Sequence, residues 1–270
     1  MKMTFRILIF SLILTIIRFK DYLLMNKGRR IISILCYHRV NDRLKDDMTV
    51  STASLESQIR YLKKHYEVIS GKELDSWLAG RSKLKKAVLI TFDDGYEDNY
   101  TNALPILEKY ECPAVFFVPT GYVGTNRDFE FDIASYPGLV FKKMTWDQLK
   151  DAGGKGIEIG IHSDTHINFK QAGFNEAKKE IEVSLEKYYT HIESKSVLMA
   201  YPYGAKEDIS SDIRAYISQH ENIRALFAAY GGRNVEPFHR DNLKRIFISD
   251  SDIGIVFRYR IEGGWRSLIR

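Results

Sequence analysis

Asp93 and Asp94 stand side by side where an apolar stretch, Ala87-Val88-Leu89-Ile90, gives way to Thr91-Phe92-Asp93-Asp94-Gly95-Tyr96. The stretch is too short for a helix and rich in branched residues, so it reads as a buried strand. Two adjacent carboxylates at the end of such a strand raise one another's pKa, and burial raises both further. A bound cation removes that cost, and Asp is a hard-oxygen ligand suited to one. The competing reading is a turn, since Asp-Gly after a strand is a common turn signal. His162 and His166 follow another apolar run at i, i+4, the separation at which two imidazoles meet one metal. One Asp with two His is a ligand set for Zn²⁺ or a similar divalent ion, leaving positions open for water and substrate. Cys36 and Cys112 have no metal-ligand spacing and make no disulfide framework; both read as free, buried and inert.

The elements that must position these residues follow from periodicity. Strands are expected at 31–37, 87–90, 114–118, 156–161, 197–200, 225–229 and 245–248. Between them lie helical patterns: about 52–66 with N-cap choices from Ser51 to Ser54, 72–78, one entered near Asn99, 145–153, 175–191 and 207–220. Residues 121–144 read as a long loop rich in Gly, Asn, Asp and aromatics, and such loops are often functional. About seven strands alternating with helices predict a parallel α/β architecture, and the number favours a barrel over an open sheet. Chemistry in such barrels sits at the carboxyl ends of strands. His38, Asp93-Asp94, His162 and Pro202-Tyr203 all fall at such ends.

Three ordered stretches carry a family resemblance: Thr91–Gly95, His162-Ser163-x-x-His166 and Tyr201-Pro202-Tyr203-Gly204. Together they resemble the motifs of the polysaccharide deacetylases, the NodB-homology enzymes of carbohydrate esterase family 4, over roughly residues 31–250. Cys36-Tyr37-His38-Arg39-Val40 is similar to the permuted branch that includes the poly-N-acetylglucosamine deacetylases. The resemblance implies a single distorted (β/α)7 barrel and a metal-dependent hydrolase that removes N-acetyl groups from an amino-sugar glycan. It implies that Asp94, His162 and His166 bind one divalent ion, with Zn²⁺ preferred and Co²⁺ or Ni²⁺ possible. Asp93 takes the role of general base, the backbone N–H of Tyr203 that of oxyanion donor, and His38 that of general acid, with His239 as its rival. Ala200 departs from the family pattern, because an Arg that contacts the base usually stands there; Arg245 is a candidate for supplying the guanidinium instead. An inactive glycan-binding barrel is the reading from another class. Asp164 is a candidate for orienting a histidine or capping a turn, and Tyr96 and Trp146 for stacking on a sugar or filling the core.

The chain's 44% apolar and 28% charged residues are those of a globular protein, without repeats or low-complexity segments. Residues 1–30 carry seven basic side chains against the single Asp21, more than the whole chain's net charge of +5. The rest is therefore close to neutral, which excludes a nucleic-acid-binding surface, and no nucleic-acid motif is present. Residues 7–17 form an apolar run between Arg6 and Arg18 that is short for a membrane span and lacks a following cleavage site. Basic residues downstream oppose translocation. Residues 1–28 are expected to form an uncleaved interfacial helix held by apolar burial and anionic lipid, with a helix packed on the domain as the alternative. The barrel domain is then 29–270. Flanking charge favours the cytoplasmic face of a membrane, while the family resemblance favours the outer one. A lipid-linked glycan is the alternative substrate to a polysaccharide.

Overall fold

The computed structural model describes residues 2–264. Seven parallel strands close into a barrel: β1 (Ile31–Tyr37), β2 (Lys86–Phe92), β3 (Ala114–Val118), β4 (Ile157–Ile161), β5 (Val197–Ala200), β6 (Ile223–Gly231) and β7 (Leu243–Phe247). Neighbours in sequence are neighbours in the sheet, and β7 returns to pair with β1 through Leu35↔Ile246 and Cys36↔Phe247. Strands buried on both faces need unbroken apolar runs, and β1 has all seven residues buried. The closure is uneven. β1 and β2 pair over their whole length, whereas β4 meets β5 only at Ile161↔Met199 and the β6–β7 register shifts. This is the parallel barrel that the alternation of elements predicts and the distorted (β/α)7 form that the family resemblance implies.

Helices cover the outside: α1 (Lys2–Asn26), α2 (Thr52–His65), α3 (Gly71–Leu78), α4 (Leu104–Lys109), α5 (Glu130–Ser135), α6 (Trp146–Gly154), α7 (Phe169–Ala172), α8 (Phe174–His191), α9 (Ser211–Gln219) and α10 (Gly254–Ile261). Their starts are chemically marked. Ser51 accepts from the Ser54 N–H at the start of α2, and capping boxes at Ser70/Glu73 and Thr145/Gln148 open α3 and α6. Asn99–Ala103 is a π turn leading into α4, and the Asn99 side chain donates to the His38 carbonyl at 2.7 Å. One loop therefore fixes the ends of β1 and β2 against each other.

Two expectations need correction. Residues 121–144 are not structureless, because α5 forms within them around Asp132, whose buried carboxylate pairs with Arg39. The helix expected over 207–220 is interrupted. Asp208 accepts from the Ala205 N–H and closes a single turn, Ile209 is extended, and α9 starts afresh after Ser210. α1 is longer than its apolar run and lies against α10, with Phe10 and Leu14 packed on Tyr259. Its one acid, Asp21, is buried and paired with Lys86 at 2.9 Å and Arg233 at 2.5 Å.

Candidate active site

β2 ends at Phe92 and delivers Asp93 and Asp94 to the carboxyl end of the barrel, both buried. The Asp93 N–H is held by the Tyr37 carbonyl at 2.9 Å, so the two strand ends are locked in step. β4 delivers His162 beside them, and the loop that follows brings back His166. His162 Nε2 lies 3.6 Å and His166 Nε2 3.3 Å from Asp94 Oδ1. That oxygen is buried and has no hydrogen-bond partner. His162 Nδ1 sits 2.8 Å from the Ala200 carbonyl, which can only accept, so the proton is on Nδ1 and the Nε2 lone pair faces Asp94. An orphaned carboxylate oxygen and two imidazoles, all with ligand atoms within 4.8 Å of one another, fit a divalent metal.

Asp93 has a different environment. Both of its oxygens accept from Arg245, Oδ1 at 2.6 Å and Oδ2 at 2.7 Å, and Arg245 is itself fully buried on β7. Arg245 also donates to the Ala228 carbonyl and to Thr91 Oγ1. The guanidinium thus replaces, from another strand, the one whose usual position is occupied by Ala200. Burial is the largest single effect and pushes the Asp93 carboxyl up, but the charge and hydrogen bonds of Arg245 together with the nearby imidazoles outweigh it and leave the pKa below the ordinary value. For Asp94, burial is likewise outweighed by the close approach and charge of His166, His38 and His162. Burial is the largest effect on His162 and lowers it to about 4, keeping the ring neutral as a ligand must be.

His38 follows β1 and packs against Phe247 with the rings tilted, 5.1 Å between ring centroids. Its Nδ1 is buried and unpartnered, and it shares a cluster with Asp93 and Cys36 in which the ligand atoms lie within 4.8 Å. Burial lowers its pKa, against the charges of Asp94 and Asp93. The Cys36 thiol donates to Asp93 Oδ2 at 3.4 Å, so it is free and buried as expected but is not remote from the site. The Arg245 guanidinium already covers both Asp93 oxygens and opposes a second cation there.

The backbone is strained where the site is built. Asp94, Ser163, His166 and Tyr203 all have positive φ without being Gly (73°, 61°, 60° and 62°). Tyr203 is half exposed, with its ring 5.3 Å from that of His166. A cleft of about 320 Å³ opens beside His166 between Tyr203, Tyr122, Phe129, Glu130 and Phe131.

Other candidates fall elsewhere. His239 precedes β7, at the amino end of the strand and away from the carboxylates. Asp164 accepts from Thr120 and Lys187 and touches neither histidine. Tyr96 is buried and donates to Asp132, so it cannot stack on a sugar. Trp146 is partly buried and stacks on His191 at 4.4 Å.

The polysaccharide deacetylase family model matches residues 80–232. The chain belongs to that family. A poly-beta-1,6-N-acetyl-D-glucosamine N-deacetylase of Staphylococcus aureus is 34% identical over 171 residues, 59% of this chain and 55% of that protein. The chain thus spans about half the length of the curated relatives it matches. Among solved structures, the Streptococcus pyogenes deacetylase PplD in complex with acetate superposes with a TM-score of 0.71 at 22% identity, covering 86% of this chain and 98% of that one. IcaB from Ammonifex degensii gives 0.69 at 24% identity, covering 85% and 97%. Both share the fold.

Proposed function

We propose that the chain is a metal-dependent hydrolase that removes N-acetyl groups from an N-acetylated amino-sugar glycan. The observation that carries this reading is the division of the carboxylate pair: Asp94 turns an unpartnered oxygen toward two imidazoles, while Asp93 is clamped by Arg245. Held by Asp94, His162 and His166, a divalent ion (Zn²⁺ in the first instance, with Co²⁺ or Ni²⁺ as substitutes) supplies a Lewis acid for the acetamido carbonyl and acidifies water. Asp93 accepts the proton of the attacking water as general base, its carboxylate fixed in one orientation by the bidentate guanidinium. Tyr203 is held in a left-handed conformation, where its backbone N–H serves as the donor to the developing oxyanion. His38 protonates the departing amine as the C–N bond breaks, leaving acetate and a free amino sugar.

Acetate release from a panel of N-acetylated glycans and lipid-linked amino sugars, with and without chelator, tests this reading. Release from at least one polymer, abolished by chelator and restored by Zn²⁺, is expected. Release from lipid-linked sugars alone would replace the polymer with that substrate. No release from any member by metal-loaded protein would leave a glycan-binding barrel without turnover.

A further inference from the structure

The helix α1 has two apolar faces, and the barrel uses only one of them. Phe10 and Leu14 are buried, and with Ile13 and Ile17 they pack on Tyr259, Ile255 and Val256 of α10. Phe10 and Tyr259 lie 5.0 Å apart between ring centroids. Asp21, on the same side, is tied to Lys86 and Arg233. Ile9, Leu12, Ile16, Phe19 and Leu23 follow one another at steps of three and four residues, which puts them in one stripe on the opposite side. They are 40%, 64%, 59%, 63% and 44% exposed. The stripe is therefore not the docking face of a helix that has come loose, since that face is already occupied.

We infer that this stripe lies in the surface of an anionic lipid bilayer, with α1 flat in the interface and still docked on the barrel. Three observations select this occupant. Among the described residues no helix is long and apolar enough to cross a membrane, so the stripe belongs at a surface rather than through it. Lys20, which borders Ile16 and Phe19, and Lys27 and Arg29 just beyond, are exposed, while the single acid of the helix is buried in ion pairs. Among the described residues, every exposed charge that α1 and the turn after it set beside the stripe is thus positive and suits anionic headgroups. The same spacing also suits a coiled-coil seam with a second copy, but there the basic side chains would face one another without an acid to pair with. α1 is rooted through Asp21 at Lys86, the amino end of β2, whereas Asp93 and Asp94 follow its carboxyl end. Binding by the stripe therefore leaves the carboxylate end of the barrel uncovered.

The test uses the full chain and sedimentation with vesicles of phosphatidylcholine alone or mixed equally with phosphatidylglycerol. Binding to the mixed vesicles is expected, at least tenfold weaker on phosphatidylcholine alone and weakened again by high salt. Leu12→Glu with Phe19→Glu should remove it, with an unchanged thermal unfolding midpoint because both side chains are exposed. Should that double variant misfold, Lys20→Glu must still reduce binding several-fold. Equal partition of wild type and variants, or no binding by wild type, overturns the inference. A wild-type dimer in sedimentation that the double variant dissolves would assign the stripe to a second copy instead.

Discussion

Arg39 and Asp132 bury a full charge pair close to where Asp93 and Asp94 emerge, yet the two clusters are finished differently. Arg39 donates to Asp132, to Asp46 at 2.7 Å and to Thr49 at 3.2 Å. Tyr96 and Tyr136 then donate to the same two carboxylates at 2.8 and 2.7 Å. Each charge is answered within the protein. This cluster joins the end of β1 to α5 and so seats Phe129 against His166, 4.7 Å away between ring centroids. In the other cluster Arg245 satisfies Asp93, but Asp94 Oδ1 and His38 Nδ1 are left without partners. The strained residues Asp94, Ser163, His166 and Tyr203 also collect there. Burying charge is expensive in both places. A cluster that closes on itself positions a loop, whereas one left open is built for something not supplied by the chain.

The largest effect should come from splitting the carboxylate pair. Asp94→Asn is expected to lose both the bound metal and turnover. Asp93→Asn should keep about one metal equivalent and lose roughly 10²- to 10⁴-fold in acetate release, the range for a positioned acid–base group. Metal analysis and acetate assay on the same preparations check this, and equal metal loss in both variants would erase the distinction between the two carboxylates. Opening the closed cluster should have the opposite signature. Asp132→Asn leaves Arg39 short of a full counter-charge in a buried site. A loss on the order of 3 kcal/mol in unfolding free energy is expected, read from urea denaturation. Metal content per folded molecule should be unchanged, and loss of metal would mean that the two clusters are one unit.

The open cluster was legible in the sequence and the closed one was not. Asp93-Asp94 and His162/His166 stand directly after apolar runs, and a strand end is a place that period alone locates. Once seven strands alternate with helices, those ends converge on one face. Arg245 was visible only as a spare guanidinium, since nothing local says that its side chain crosses the barrel to meet a residue 152 positions away. Arg39 and Asp132 are separated by 93 positions, and Asp132 sits in a stretch whose Gly and Asn content reads as loop. Tyr96 follows the carboxylates and so invited a role at the substrate, but its hydroxyl belongs to Asp132. Charge pairs across long separations leave no local trace, whereas two histidines four positions apart directly after an apolar run are visible in the sequence.

Asp98 is a third kind of carboxylate, half-buried at the surface of the fold, and gives the smallest and most graded test. It is the sequence neighbour of the Asn99 that holds the His38 carbonyl, and Asn99 donates to it at 3.1 Å. Among the described residues, no guanidinium is bonded to it and no imidazole faces it as one faces Asp94. Burial is the largest effect and pushes its pKa up to about 7, against the hydrogen bonds and the more distant charges of Arg39 and Lys143. The folded state therefore holds this proton more tightly than the unfolded chain, whose Asp releases it near pH 4. From there up to about 7 the unfolded state gives up a proton that the folded state keeps, so stability falls as pH rises through that window and levels off above it. Asp98→Asn removes this contribution. The variant should unfold at nearly the same temperature as wild type at pH 4 and a few degrees higher at pH 8. Parallel midpoints across that range would mean that Asp98 ionises without penalty, and that burial with neither cation nor guanidinium is less costly here than the contrast between the two clusters implies.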